Sequence, residues 1–181
     1  MGVCPTVESK EHKLSPWVTL VEKSVSWADQ RGVEIYHAIS QADYVSAVVV
    51  TVDGRIPLVR QFRPACGEFT LELPGGLLEA GEEPGICIRR ELEEEVGCIG
   101  GKLRFLGALW PDPGRLMNRL HCFMVEEVLS VEFGWKKEAG LERWFVDKTE
   151  FKALIKEGRL SNSHHVAVVG LALANGFLED L

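Results

Sequence analysis

The sequence GLLEAGEEPGICIRRELEEEVGC, residues 76–98, carries the clearest structural pattern in this 181-residue chain. From Ile88 to Val96, apolar residues recur at every fourth position, which is the spacing of a buried helical stripe. Proline suits the first position of a helix, and glycine suits the position after its last residue. We therefore predict a glycine-rich loop followed by a helix that begins at Pro84 and is closed by Gly97.

The same segment is dense in carboxylates, with seven glutamates and two arginines between residues 79 and 95. Glu91, Glu94 and Glu95 are spaced i, i+3 and i+4, so their side chains project from one face of the helix. Like charges at this spacing repel each other, and a cation among them would remove the repulsion. Oxygen ligands without histidine or cysteine favour Mg²⁺ or Mn²⁺ over zinc. A metal site is one interpretation, and an exposed acidic helix without bound metal is the other.

The order of these residues resembles the Nudix box, the signature of the Nudix hydrolase superfamily. That pattern is a glycine, five residues, a glutamate, seven residues, Arg-Glu, an aliphatic residue, one residue, Glu-Glu, one residue, a glycine and an aliphatic residue. The positions on pattern are Gly76, Glu82, Arg90, Glu91, Leu92, Glu94, Glu95 and Gly97. Seven fixed positions coincide by chance on the order of once in 10⁸ starting points, which outweighs the acidic-helix alternative. The one departure is Cys98 in the last aliphatic position, where a buried cysteine acts as a small hydrophobe.

The resemblance implies an α/β/α sandwich with a mixed sheet over residues 44–181, in which the box binds divalent metal. It assigns the metal ligands as Glu91, Glu94, Glu95 and the main-chain carbonyl of Gly75. Arg90 can pair with Glu94 one turn on, and Arg90 and Glu82 would orient the loop and the catalytic carboxylates. Mg²⁺, with Mn²⁺ as a substitute, would bridge the diphosphate oxygens and activate a water for hydrolysis.

The rest of the chain alternates strand-like and helical patterns. Strands are predicted at Ser46–Val52, Ile56–Gln61, Phe69–Leu73, Leu103–Leu109, Leu120–Val131 and Arg143–Val146, and helices at Lys148–Glu157 and His164–Ala174. Asp53-Gly54 supplies hairpin turn chemistry, so we expect the first two of these strands to form a central hairpin. Before them, Trp17–Ser40 contains two strand-like runs and predicts a small antiparallel piece. We divide the chain into an N-terminal β segment, 1–43, and a catalytic domain, 44–181.

Features outside the box resemble the ADP-ribose pyrophosphatase branch of the superfamily, which cleaves nucleoside diphosphate sugars. The segment QFRP, Gln61–Pro64, followed by ELPGG, Glu72–Gly76, is found there before the box, and it implies that Arg63 contacts phosphate. Pro113 lies sixteen positions after the last glycine of the box, as a proline does in that branch, and with Gly114 it would belong to the substrate loop. Taken singly, a surface arginine and an ordinary turn explain these residues nearly as well.

The N-terminal segment also resembles that branch, in which it helps to form a homodimer and supplies aromatic rings that stack on adenine. Trp17 stands where such a ring is expected, and Tyr36 is a second candidate, although a core position suits Tyr36 better. Two residues depart from the branch, because Asn118 replaces a common glutamate and Arg115 is not typical. GDP-mannose, ADP-glucose or another nucleotide sugar is therefore an alternative to ADP-ribose.

The resemblance implies that the water-activating base lies outside the box, on a mobile loop just before the strand that precedes the penultimate helix. Glu142 stands directly before the predicted strand Arg143–Val146 and is the first candidate, with Glu138 as the second. A carboxylate at this position would orient the attacking water and accept its proton. The alternative is that both are solvated loop residues and that no separate base is needed.

Composition narrows the partners and the location. The balance of 27 Asp and Glu against 20 Lys and Arg disfavours loose binding to nucleic acid. No apolar run has membrane-spanning length, no secretory signal is recognisable, and the five cysteines are scattered, so we expect a cytoplasmic protein with free thiols. A small-molecule nucleotide is the expected substrate, with nucleoside triphosphates and dinucleoside polyphosphates as rivals. A non-catalytic Nudix-fold binding module is the rival outside enzymes, but such modules commonly lose box carboxylates and this chain keeps them.

Overall fold

The computed structural model describes residues 4–28, 32–130, 135 and 139–178 of the chain. This part contains ten strands and three helices. The strands are β1 Thr6–Lys13, β2 Thr19–Ser26, β3 Glu34–Ser40, β4 Tyr44–Thr51, β5 Ile56–Arg63, β6 Glu68–Glu72, β7 Cys98–Ile99, β8 Lys102–Leu109, β9 Leu120–Ser130 and β10 Leu141–Val146. The helices are α1 Pro84–Val96, α2 Lys148–Lys156 and α3 Ser163–Ala174. This mixed α/β architecture, with antiparallel strands at its N-terminal end, confirms the predicted fold class.

The chain forms two compact units, and the first contains Met1–Asp43 together with Trp110–Arg119. Its three strands form an antiparallel sheet in the order β1-β2-β3. The segment Trp110–Arg119 joins β3 at Ile39, whose carbonyl accepts the amide of Met117 at 2.9 Å. All residues of β1 are exposed. Its sequence, TVESKEHK, does not alternate apolar and polar residues, so the strand was not predicted. The sequence also gave no sign that Trp110–Arg119 belongs with the N-terminal strands.

The second unit contains Tyr44–Leu109 and Leu120–Leu181, and it has helices against both faces of its strands. The alternation of β4 makes this visible. Val45, Ala47 and Val49 pack in one core cluster with α1, whereas Val48 packs in a second cluster with α2 and α3. Because β4 is buried on both faces, it reads in the sequence as a continuous apolar run.

The strands β4 and β5 do not form the predicted hairpin, although the chain turns where expected. The amide of Thr51 donates to the carbonyl of Arg55 at 2.9 Å and closes the turn. Beyond it, β4 pairs in parallel with β9, whereas β5 lies between β10 and β6 in another sheet. The hairpin prediction was wrong because an apolar run that is buried on both faces does not indicate which neighbour it pairs with.

The helix α1 has the bounds that the sequence predicted. It begins at Pro84 and ends at Val96, and Gly97 follows with a φ of 64°. This left-handed conformation is costly for residues with a Cβ atom, so a glycine here ends the helix cleanly. The position and length of α1 therefore follow from local sequence.

The five cysteines are free, as predicted. Burial raises the pKa values of the Cys87, Cys98 and Cys122 thiols to about 12, 11 and 12, so these thiols are protonated near neutral pH. Cys98 is buried, in agreement with its place at an aliphatic position of the box pattern. In the described part of the chain, no helix is long and apolar enough to cross a membrane.

Candidate functional site

Three carboxylates of α1 lie on one side of the helix but differ in their exposure. Glu95 is 7% exposed, next to the buried residues Leu92 and Val96. Glu91 is also largely covered, whereas the side chain of Glu94 is 56% exposed. A buried carboxylate is costly unless hydrogen bonds or positive charge compensate it. The partners of Glu91 and Glu95 therefore determine whether the burial of these carboxylates is compensated.

The loop before α1 supplies part of this compensation. The amide of Gly75 donates to Oε2 of Glu95 at 2.9 Å. Gly76 lies so close to the helix that a Cβ atom there would be 2.3 Å from Oε1 of Glu91, and a Cβ atom on Gly75 would be 2.1 Å from the carbonyl oxygen of Val45. Gly76 and Val45 exchange two main-chain hydrogen bonds, at 2.9 and 3.1 Å. The paired glycines therefore let the loop fit between β4 and the carboxylates.

Arg90 is the centre of an ion-pair network that joins the loop to the helix. It donates to both carboxylate oxygens of Glu82 at 3.0 Å, to Glu91 at 2.8 Å and to Glu94 at 3.1 Å. The Arg90 guanidinium and the amide of Glu79 hold the pKa of Glu82 at about 2. The pKa of Arg90 is raised, first by Glu82 and then by Glu91 and Glu94, so Arg90 and Glu82 are both charged at physiological pH. Glu82 and Arg90 thus connect the loop to the face of α1 that carries Glu91 and Glu94.

The donor chemistry of this cluster fits a hard divalent ion, because Glu91, Glu94 and Glu95 offer carboxylate oxygens only. Among the described residues, however, no three acidic, histidine or cysteine side chains converge closely enough to hold a metal as they stand. The contacts explain why, since Arg90 attracts Glu91 and Glu94 while the amide of Gly75 holds Glu95. A bound cation would therefore replace part of the charge compensation that Arg90 supplies.

Arg63 on β5 and Glu72 on β6 form a second ion pair across these two strands. Nε and Nη2 of Arg63 donate to the two carboxylate oxygens of Glu72 at 2.8 and 2.6 Å, and the Thr70 hydroxyl donates to the same carboxylate. Glu72 is only 3% exposed, whereas the Arg63 side chain is half-exposed. Burial tends to raise the pKa of Glu72, but the hydrogen bonds from Arg63 and Thr70 outweigh it and lower this pKa. Glu72 thus fixes a guanidinium whose own pKa is raised by Glu72 and, to a lesser extent, by Glu95.

His165 anchors the residue that leads into the glycine loop. Its Nδ1 accepts the amide of Leu73 at 3.2 Å, and burial lowers the pKa of His165 to about 4. A neutral imidazole is required, because a protonated Nδ1 could not accept this hydrogen bond. The sequence did not indicate this contact, nor the role of Glu72 as the partner of Arg63, because each contact depends on how separate strands and helices pack.

Glu142 is not brought together with the carboxylates of α1. The strand β10 begins at Leu141, earlier than predicted, so Glu142 lies within the strand and not before it. Leu141 packs in the cluster that contains α1, and successive strand residues point to opposite faces, so Glu142 points to the other face. There it forms an ion pair with Arg60, its partner in register on β5, at 2.9 Å. Glu138 lies outside the described residues.

The residues expected to bind the nucleotide base or the sugar lie in the first unit. Trp17, between β1 and β2, is 74% exposed. Tyr36 on β3 is 48% exposed, and its hydroxyl donates to Glu34, so the preference for a core position was wrong. Pro113 and Gly114 lie in a turn in which the amide of Gly114 donates to Oδ1 of Asp112 at 3.0 Å.

Asn118, which departs from the ADP-ribose branch, is buried in the same unit. It is 1% exposed, and its Oδ1 accepts a hydrogen bond from Nε2 of Gln41 at 3.2 Å. Arg115 is instead exposed, with Asp112 at 3.6 Å. A buried amide in place of a carboxylate removes a negative charge from this unit, whereas Arg115 is free to remain solvated.

Comparison with known proteins gives a match to a family and to individual relatives. A family model described as a NUDIX domain matches residues 41–167 of the chain. The ADP-ribose pyrophosphatase of Bacillus subtilis is 40% identical over 88 residues, which are 49% of this chain and 48% of that protein. The methanol dehydrogenase activator of Bacillus methanolicus is 33% identical over 131 residues, which are 69% of this chain and 69% of that protein. The chain thus matches about half of the length of the first relative and about two thirds of the second.

A solved structure supports the same overall architecture. The crystal structure of an ADP compounds hydrolase superposes with a TM-score of 0.81 and covers 96% of this chain and 95% of its own. The sequence identity of the superposed chains is 18%. At that identity the likeness concerns the fold alone.

Proposed function

Since the chain belongs to the Nudix family, we propose that it is a Mg²⁺-dependent hydrolase that cleaves the diphosphate bond of ADP-ribose or a related nucleotide sugar. The products are a nucleoside monophosphate and a sugar phosphate. The observation that carries this proposal is the complete acidic cluster of α1, in which Glu91 and Glu95 are held against the Gly75-Gly76 loop. A family member that only bound a ligand would not need this costly concentration of partly buried charge.

Glu91, Glu94, Glu95 and the carbonyl of Gly75 are the proposed ligands of Mg²⁺, with Mn²⁺ as a substitute. The ion would offset the charge of the diphosphate oxygens and activate the water. The chain itself prepares this site, because Arg90 balances Glu91 and Glu94 and is held in turn by both oxygens of Glu82. Glu94 is the most exposed of the three carboxylates, so it can turn from Arg90 toward a ligand at least cost.

Arg63 is proposed to contact a phosphate group of the substrate. Glu72 occupies its Nε and Nη2, which leaves Nη1 to donate to an anionic oxygen. Since Glu72 compensates the charge of Arg63, this hydrogen bond would mainly orient the phosphate group. Net charge would contribute less to substrate binding. In the reaction, water forms a bond to one phosphorus, the bridging P–O bond breaks, and the departing phosphate takes the electron pair.

The proton of the attacking water is proposed to pass to a glutamate near the start of β10. Glu142 is the first candidate from the sequence, but its ion pair with Arg60 on the face away from α1 weighs against it. Trp135, three residues before Glu138 in the sequence, donates its indole N–H to the carbonyl of Glu94 at 2.8 Å. This contact places Trp135 itself at the end of α1, and Glu138 is the second candidate from the sequence.

An adenine nucleotide sugar is the proposed substrate because the Bacillus subtilis relative is named an ADP-ribose pyrophosphatase. Exposed rings at Trp17 and Tyr36 are suited to stacking on a base, and Pro113-Gly114 would contribute to the substrate loop. The buried Asn118 keeps GDP-mannose and other nucleotide sugars as alternatives. Incubation of ADP-ribose, GDP-mannose, a dinucleoside polyphosphate and ATP with Mg²⁺ in ¹⁸O-labelled water tests the proposal. Failure to cleave any diphosphate bond would refute it.

A cytoplasmic homodimer formed through the N-terminal strands is also proposed. Val7, Val33 and Ile35 are exposed in the first unit, and a small three-stranded sheet gains stability when it buries such residues. The isologous contact of two identical units is the simplest way to do so. Light scattering at micromolar concentration should give the mass of a dimer, and a monomer with unchanged activity would contradict this proposal.

A further inference from the structure

The last turn of α1 carries Glu94 and Glu95, and its main-chain carbonyls need partners from outside the helix. The final four main-chain carbonyls of an α-helix find no N–H donor within the helix. The amide of Gly97 donates to the carbonyls of Glu93 and Leu92, and α1 has no basic residue in its last turn. The carbonyls that remain lie at the residues proposed to bind metal or directly beside them.

Two side chains from outside α1 donate hydrogen bonds to these carbonyls. The indole Nε1 of Trp135 lies 2.8 Å from the carbonyl oxygen of Glu94. Nη1 of Arg143, on β10, lies 3.1 Å from the carbonyl oxygen of Val96. The two donors also support each other, because the Arg143 guanidinium lies 4.1 Å from the centre of the Trp135 ring. Tryptophan and arginine thus form one cap over the end of the helix.

We propose that Trp135 and Arg143 are positioning residues for the metal-binding carboxylates of α1. A carbonyl fixed at Glu94 fixes the backbone from which the side chains of Glu94 and Glu95 project. The positive charge of Arg143 also lies at the C-terminal, negative end of the helix dipole. There it offsets the negative potential to which the carboxylates of Glu94 and Glu95 contribute. This role rests on the proposed metal-dependent function, and neither residue contacts the substrate in it.

The matched variants are Trp135→Phe, Arg143→Gln and Arg104→Gln. Phenylalanine keeps a ring for Arg143 to stack on but removes the N–H donor. Arg104 is the control, because its ion pair with Glu126 at 3.3 Å and its contact with the Phe177 ring at 5.6 Å both lie outside α1. The readouts are Mn²⁺ affinity from the electron paramagnetic resonance signal of free Mn²⁺ without substrate, thermal unfolding, and kcat and KM.

Trp135→Phe and Arg143→Gln should each weaken Mn²⁺ binding by about fivefold, which corresponds to one lost hydrogen bond. Their kcat should fall at limiting Mn²⁺ and recover at excess Mn²⁺, while KM for the nucleotide at saturating metal stays unchanged. Arg104→Gln should keep the Mn²⁺ affinity of the wild type. A merely structural role would lower the unfolding temperature without changing Mn²⁺ affinity below it.

Two failures are distinguishable. If the wild type binds Mn²⁺ and both variants bind it equally well, the positioning role is refuted and the proposed function stands. If the wild type itself binds no Mn²⁺ at millimolar concentration, the proposed function is refuted and the positioning role falls with it. If Trp135→Phe does not fold, Arg143→Gln decides between these outcomes by the same measurements.

Discussion

Replacement of Glu95 with glutamine separates the charge of this carboxylate from its contribution to folding. Glu95 is 7% exposed, and its Oε2 accepts the amide of Gly75 at 2.9 Å. The amide oxygen of glutamine can accept the same hydrogen bond, so the loop keeps its anchor. A hydrogen bond to a charged group is worth about 1 kcal/mol more than one to a neutral group, so the free energy of unfolding should fall by about 1 kcal/mol or less.

Activity should respond much more strongly than stability to Glu95→Gln. The divalent ion would lose one of three charged ligands, and these ligands are what hold it against the diphosphate. We expect kcat to fall by at least about 100-fold, which corresponds to about 2.7 kcal/mol of transition-state free energy. The loss of function therefore exceeds the loss of stability, and the two can be measured on the same preparation.

The assay is phosphate release from ADP-ribose after phosphatase treatment at saturating Mg²⁺, together with thermal unfolding. Glu93→Gln is the control, because Glu93 is exposed and lies on the same helix. This substitution removes the same charge as Glu95→Gln. It should change kcat by less than about twofold, as surface substitutions usually do. If Glu95→Gln keeps more than a tenth of the wild-type kcat, or if Glu93→Gln loses as much, the reasoning is refuted, because position within the cluster would not matter.

Four further outcomes follow from the described contacts. Burial lowers the pKa of His165 to about 4, below the unfolded value of about 6.5, so its contribution to the free energy of unfolding is complete above about pH 6.5 and declines as the pH falls toward 4, because the unfolded chain is protonated first. Denaturant unfolding of His165→Asn should lack this part of the pH dependence. Glu72→Gln should raise KM by roughly tenfold with kcat nearly kept, because Arg63 loses its charged partner; an unchanged KM would remove Arg63 from the phosphate site. Trp17→Ala should raise KM for an adenine nucleotide sugar by roughly tenfold through lost stacking, and equal KM values for the two proteins would count against the adenine contact. The base should appear as a loss of 10²–10⁴ in kcat in either Glu138→Gln or Glu142→Gln, and retention of more than about a third by both would show that neither acts as the base.

Local sequence determined the parts of this protein whose geometry depends on near neighbours. The helix α1 was predicted from its apolar spacing, from Pro84 at its start and from Gly97 at its end, because helix caps and periodicity act within a few residues. The grouping of Glu91, Glu94 and Glu95 on one side of the helix follows from the same periodicity. The mixed α/β class was also readable, since strand and helix patterns alternate along the chain.

Tertiary structure alone decided which strands pair and which face each side chain takes. The strands β4 and β5 are joined by one turn but pair in different sheets. The strand β1 has no alternation of apolar and polar residues from which it could have been predicted. Successive side chains point to opposite faces of a strand, so the register of Glu142 with Arg60 on β5 determines which face Glu142 takes. That register cannot be derived from the number of residues that separate the two in the sequence.

The contacts that complete the site are likewise nonlocal. Glu72 holds Arg63 across a strand pair, His165 reaches Leu73 from the last helix, and Trp135 caps α1 from a segment forty-one residues beyond Glu94. Each of these bonds forms only after separate elements have packed, so no local pattern encodes it. The sequence thus determined which residues carry the chemistry of α1, and only packing decided which side chains hold them in place.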